Sequence, residues 1–211
     1  MFQKIWASKV YRRARRIVAT IARPFVLFEQ AIIYRKDLTA PLDAFKIDDD
    51  LDMGQATAEE VQRAAEALGR PNPQRAELFR RRLRDGCVCF VARSGSAIVA
   101  YVWMRYLPGL DDGLLIALAS GEVFSFDLFV DENWRGRRIF AALGSRSRPF
   151  FKERGYTTVY SRVSVFNRSS RKAMRRGGWK VSGLVLRARG ERRSGWPIVT
   201  LSGSAHPLMR R

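Results

Sequence analysis

Histidine and cysteine are scarce in this chain of 211 residues: one of the first, His206, and two of the second, Cys87 and Cys89. A closed Cys/His zinc site takes four ligands and the chain has three such residues, so no metal is expected. The two cysteines alternate within a strand-like run and share a face. A disulfide across one intervening strand residue has poor geometry. The expectation is two small strand side chains in a reducing compartment. Long apolar runs are absent as well; none approaches the ~20 residues that a membrane-spanning helix needs. Acids are the third shortage. Twenty Asp and Glu face 39 Lys and Arg, for a formal charge of +19. Hydrophobic residues still make up 46% of the chain, enough for a globular core.

A charge of this size attracts any polyanion: nucleic acid, anionic lipid, acyl carrier protein or a phosphorylated cofactor. No aromatic RNA-reading pattern or DNA-binding element accompanies it, so no specific nucleic-acid partner is expected.

Residues 1–28 contain no acid at all. On a helical wheel Trp6, Val10, Ala14, Ile17, Ile21, Phe25 and Phe28 fall on one side. Lys4, Lys9, Arg12, Arg13, Arg16 and Arg23 fall on the other. That is a basic amphipathic helix, ended or kinked by Pro24. Three readings stand: a helix on an anionic membrane surface, a helix packed on its own domain, or an Arg-rich targeting segment. The organisation expected is a helical extension over 1–24, one domain over 25–205 and a frayed tail over 206–211.

Downstream, residues 25–37 read as a strand and 40–53 as an acidic connector. Thr57 and Glu60 form a capping box opening a helix to about Leu68. A second helix covers 74–84. Strands over 87–93 and 97–106 flank the turn Ser94-Gly95-Ser96, a hairpin pattern. Residues 107–121 read as a loop. Then come a strand over 122–130, a helix over 137–155, a strand over 157–165, a helix over 167–176, and strands over 180–189 and 197–202. The fold class expected is α/β (α+β), a mixed sheet with helices on both faces.

Chemistry concentrates at FSFDLFVDENWRGRRIFAAL, residues 124–143. A strand ends and a helix begins at a basic, glycine-containing stretch. Free N–H groups at a helix start make an anion site, and Arg135, Arg137 and Arg138 add charge for phosphate oxygens. An ordinary junction with a solvated first turn is the plain alternative. Arginines at a helix start oppose the dipole, which favours the anion.

This stretch resembles the acyl-CoA-binding motif of the GNAT (GCN5-related N-acetyltransferase) superfamily. Leu128, Phe129 and Val130 match the strand end, and Arg135 with Gly136 opens the Gln/Arg-x-x-Gly-x-Gly/Ala loop. Arg138 and Phe140 stand where the family has small residues. A second match runs through residues 163–167 to Ser170 and Gly178-Trp179. Asn167 there begins the helix beside the CoA arm, and it also suits a helix N-cap. The match covers about residues 86–203.

The resemblance implies a GNAT-like, mostly antiparallel sheet and direct acyl transfer from acetyl-CoA or another acyl-CoA to an amine acceptor. Leu128, Phe129, Val130, Arg135, Gly136, Arg137, Arg138, Ile139, Phe140, Asn167 and Ser170 are then the CoA-binding positions. The strands around Phe129 and Ser161 are expected to splay in a V. Met174 stands where the family often has a tyrosine acid; Tyr160 and Ser164 are substitutes to consider. For the acceptor's proton the candidates are Asp127 and Glu122. An acid such as Asp127, within an apolar strand, is costly unless paired or functional. An ion pair with an arginine such as Arg162 is its plain alternative. Trp103 belongs either to the core or to the acceptor groove. The expected location is cytoplasmic, peripheral on the inner membrane face if the first helix docks there. The rival class is a basic, non-catalytic nucleic-acid- or ribosome-binding protein.

Overall fold

The computed structural model describes residues 26–40, 50–67, 73–107, 109–110 and 117–190. Residues 1–25 of the basic amphipathic segment, the strand over 197–202 and the tail lie outside them; Phe28, placed on that helix's apolar face, belongs instead to a strand. A seven-stranded sheet runs in the order β2-β3-β4-β7-β8-β1-β9. Its strands are β1 (Val26–Asp37), β2 (Asp52–Gln55), β3 (Val88–Ser94), β4 (Ala97–Arg105), β7 (Glu122–Val130), β8 (Thr158–Ser164) and β9 (Lys180–Gly190). All neighbours are antiparallel except β7 and β8. The expected loop over 107–121 contains a two-residue ribbon, β5 (Gly109–Leu110) with β6 (Ala117–Leu118).

Among the described residues four α-helices cover the two faces. α1 (Ala58–Ala67) and α2 (Pro73–Arg84) lie on one. α3 (Ile139–Lys152) and α4 (Arg168–Arg176) lie on the other. Strand alternation divides the core accordingly. Cys89, Val91, Tyr101 and Trp103 pack with Val61, Ala64 and Phe79 of α1 and α2. Phe90, Ala92, Val102 and Met104 pack with Ile139, Leu143 and Phe151 of α3. Cys87 and Cys89 form no disulfide with each other and are buried on the α1–α2 side. Burial pushes the Cys89 thiol up to about 12, so it is an inert packing group. Trp103 is fully buried, which assigns it to the core.

The capping box is present. Thr57 N–H donates to the Glu60 carboxylate at 2.8 Å, and Glu60 N–H donates to Thr57 Oγ1 at 3.2 Å. Pro73 takes the first position of α2, where a missing N–H costs nothing. Glu60 has a second task. Arg93 Nη2 donates to it at 2.9 Å, and Arg93 also meets Asp52 at 3.1 Å. The Arg93 bonds, then those from Thr57, outweigh burial and hold the Glu60 carboxyl at about 2, against an ordinary 4.5. A depressed folded pKa stabilises above the unfolded value. That stability is therefore complete above about pH 4.5 and is lost as pH falls towards 2. Glu60→Gln is expected to lose about 2 kcal/mol at pH 7. Urea titrations at pH 7 and pH 3 check this: the gap between wild type and variant narrows at the lower pH.

Candidate active site

β7 and β8 are parallel neighbours for four residues only, Glu122 to Ser125 against Thr158 to Ser161. Beyond Ser125 and Ser161 both strands continue and their pairing stops. A bulge in β7 accounts for the parting. Between Trp103↔Phe126 and Tyr101↔Phe129, β4 passes one residue and β7 passes two. The extra residue lies at Asp127-Leu128, and Asp127 takes a left-handed φ of 45°. The strands thus splay in a V whose apex is two buried serines, Ser125 and Ser161.

The V holds a cleft of about 200 Å³. Phe126, Asp127 and Leu128 form one wall, and residues 161–164 the other. Phe140 of α3 and Ser170, Ala173 and Met174 of α4 close the side, with Asn167 at its edge. Leu128 is an exposed large apolar group on this wall.

After β7 the chain makes a short 3-10 turn, Glu132–Trp134, capped by the Asp131 carboxylate accepting from Asn133 N–H at 3.0 Å. Arg135 folds back to donate to Val130 C=O at 3.3 Å and pairs with Glu132 at 3.0 Å. The Arg137 guanidinium lies 4.5 Å from the Trp134 ring centroid. Gly136 has φ 85° and Arg138 φ 59°. The helix therefore begins at Ile139, not at Arg137 as expected. Residues 137 and 138 precede its dipole rather than opposing it from inside. The first intrahelical bond runs from Ala142 N–H to Arg138 C=O at 3.1 Å, so the N–H groups of Ile139, Phe140 and Ala141 have no helical acceptor.

Arg138 explains a departure from the family pattern. A left-handed position suits glycine, and holding arginine there costs about 1–2 kcal/mol. Its side chain points to solvent, so the turn keeps its shape. Phe140 takes up space instead. It is half-buried on the cleft and stacks on Trp179, centroids 6.2 Å apart and planes at 17°.

Across the cleft, Asn167 caps α4: its Oδ1 accepts from Ser170 N–H at 3.0 Å and from Ser169 hydroxyl at 2.9 Å. Met174 is buried against Tyr34 and Val163, so no acid stands at that position. Ser164 lines the cleft, its Oγ accepting from Phe166 N–H at 3.3 Å. Tyr160 lies elsewhere. It packs with Ile33, Phe124 and Leu118, burial pushes its hydroxyl well up, and it donates to Glu122 at 3.3 Å. Glu122 also accepts from Ala119 N–H at 2.9 Å. It stands at the paired end of β7, three residues before the strands part, while Asp127 stands on the cleft wall.

Asp127 forms an ion pair with Arg82 of α2. The Arg82 guanidinium lies in a box of Phe79, Trp103 and Phe126, 5.0–5.3 Å from their centroids. Sequence reasoning missed Arg82. The available signal was its position three residues after Phe79, on the apolar face of α2.

These elements make a mixed α/β sandwich with a gap between two parallel strands and two helix starts beside it. A profile of the acetyltransferase (GNAT) family matches residues 55–179, more than half of the chain, and the chain belongs to that family. Its structural relatives include a GCN5-related N-acetyltransferase from Sphaerobacter thermophilus, with TM-score 0.56, 20% identity, and coverage of 94% of this chain and 60% of that one. A GNAT-family acetyltransferase from Colwellia psychrerythraea gives TM-score 0.55 and 16% identity, over 83% of this chain and 60% of that one. The protein AAC(6')-Iy, solved with the bisubstrate analogue CoA-S-monomethyl-acetylneamine, gives 0.50 and 18%, over 70% and 97%. The chain thus spans about three fifths of the length of the first two. No curated protein is similar enough in sequence to count as a relative. Among the described residues no cluster of His, Cys, Asp and Glu could hold a metal ion, and no helix is long and apolar enough to cross a membrane.

Proposed function

We propose that this protein is an acyl-CoA-dependent N-acyltransferase, most simply an N-acetyltransferase. The observation that carries the reading is the cleft between the parted strands, which runs from buried serines to two helix starts. An extended thioester arm fits it. Its phosphates meet the N–H groups of Ile139, Phe140 and Ala141, with Arg135, Arg137 and Arg138 alongside. Its amide groups run beside Leu128, Phe129 and Val130, and Asn167 and Ser170 flank it from α4.

The thioester carbonyl is polarised by a backbone N–H of this stretch. The acceptor amine attacks, the C–N bond forms and the C–S bond breaks. Asp127 takes the amine's proton, directly or through water, and Arg82 fixes the carboxylate's position. Glu122 is the second candidate base, although it is not among the residues lining the cleft. With Met174 buried in place of an acid, water protonates the leaving thiolate. The basic segment before β1, residues 1–24, would dock on anionic lipid at the cytoplasmic membrane face. Equal vesicle binding by the full chain and by one lacking Met1–Arg23 would remove that role.

Acetyl-CoA at a hundredfold excess over Kd should stabilise the fold by about 2.7 kcal/mol. For a chain of this size that raises Tm by about 5–10 °C. If neither acetyl-CoA nor longer acyl-CoAs move Tm, the reading fails. The rival reading, a non-catalytic nucleic-acid binder, then gains. Its sign would be tight binding with strong sequence discrimination, not the salt-sensitive attraction that charge alone produces.

A further inference from the structure

The arginines of two helices contrast. In α2, Arg80 and Arg84 share Glu77, Arg81 meets Asp85 and Arg82 meets Asp127. α4 differs. Residues 165–180 hold six cations and no acid. Arg168, Lys172, Arg175 and Arg176 are exposed and make no ion pair with any described residue.

Their direction matters more than their number. α4 presents Ser170, Ala173 and Met174 to the cleft. At 3.6 residues per turn, positions 168, 172, 175 and 176 then lie on its sides and back. Those charges point away from any ligand held in the cleft and cannot serve its phosphates. Arg175 and Arg176, in the last turn, gain a modest, salt-screened attraction to the helix C-terminus. Arg168, at the first position, opposes the dipole and has no such reason. The ridge is about 13 Å long. It starts beside Asn167 at the cleft's edge. With no ion pair to offset it among the described residues, its field reaches whatever stands outside that edge.

We infer that the acyl donor is presented by an acidic carrier protein. Its surface rests on the α4 ridge while its acyl-phosphopantetheine arm enters the cleft. The inference rests on the acyltransferase reading above and specifies its donor. Nucleic acid answers the charge but leaves the adjoining cleft without a purpose. A phosphopantetheine-bearing carrier uses both. The chemistry is unchanged: the amine displaces the carrier's thiol from the thioester, the amine's proton goes to Asp127, and water protonates the thiolate.

The test compares one acyl group on two donors. Initial rates are measured with acetyl, hexanoyl and dodecanoyl thioesters of CoA and of an acidic carrier protein, at low and at 0.5 M salt. At low salt the carrier's KM should lie at least about tenfold below that of the matching CoA ester, with the gap closing at high salt. The variant R168E/K172E/R175E/R176E should raise the carrier's KM by about tenfold or more and leave acyl-CoA kinetics unchanged. Circular dichroism confirms that it folds, and direct carrier binding gives a readout independent of turnover.

Turnover with CoA esters and no carrier preference at any salt overturns the carrier and spares the acyltransferase. Equal loss with both donors assigns the ridge to the CoA site and also overturns it. A variant that loses nucleic-acid binding yet keeps its carrier kinetics assigns the ridge to nucleic acid. Neither turnover from any donor nor carrier binding overturns both proposals.

Discussion

Asp127→Asn is expected to lower kcat by about 100-fold or more, the range for a positioned base. Asparagine keeps the size and a hydrogen bond towards Arg82 and removes the proton-accepting charge. Donor binding should survive, because the Tm rise with acetyl-CoA depends on the far end of the cleft. The fold should lose only about 1 kcal/mol, since the pair is part-exposed and Arg82 keeps its aromatic box. The combination is diagnostic: a large fall in kcat, an unchanged ligand-induced Tm shift and a small change in stability. If kcat falls less than about threefold, Asp127 serves only as the counterion of Arg82, and the base must be sought elsewhere, with Glu122 next. The Glu122→Gln variant then decides that question by the same measurements.

Trp103→Ala is expected to cost about 4 kcal/mol, the range for emptying a large aromatic site in a core. Domains of ordinary size hold about 5–15 kcal/mol in all. The variant should unfold at a much lower denaturant concentration. Trp103 stacks edge-on with Phe79 at 5.0 Å and forms one wall of the Arg82 box. Its loss should therefore loosen Asp127 as well. Trp103→Phe is the informative companion. The indole Nε1 is buried without a hydrogen-bond partner among the described residues. Phenylalanine loses packing volume but also deletes this unsatisfied donor, itself worth about 1–3 kcal/mol. The two effects oppose, so Trp103→Phe should lie within about 1 kcal/mol of wild type. A cost like that of alanine would show that Nε1 is solvated or bonded in solution. Chemical denaturation of the three proteins settles it.

Much of the site was legible because its signals are local. The capping box at Thr57 and Glu60 needs only three residues, and it forms as read. The order strand, turn, helix around Arg135 and Gly136 is a property of one short stretch. So is the N-cap at Asn167, whose side chain reaches a backbone N–H three residues on. The helix start at Ile139 was misplaced by two residues for a local reason as well. Left-handed backbone at an arginine is rare, and nothing in the side chain announces it.

What escaped the sequence is the set of contacts between distant segments. β1 lies between β8 and β9 and pairs antiparallel with both, Ile32 facing Val163 on one side and Leu184 on the other. Its apolar run predicts a strand but carries no information on neighbours. The Arg82–Asp127 pair joins residues 45 positions apart, and any of several arginines had the right charge.

Sequence alone thus determined the class: the motif order, the cap residues and the basic balance. Tertiary structure decided which acid stands on the cleft wall, which arginine holds it, and that four of α4's cations face outward. The physical reason is range. Caps, turns and helix faces depend on neighbours within about four residues, so they survive in one dimension. Sheet neighbours and ion pairs depend on which whole faces can be buried together. The one-residue bulge at Asp127 becomes a cleft only once β4 and β8 stand on either side of β7.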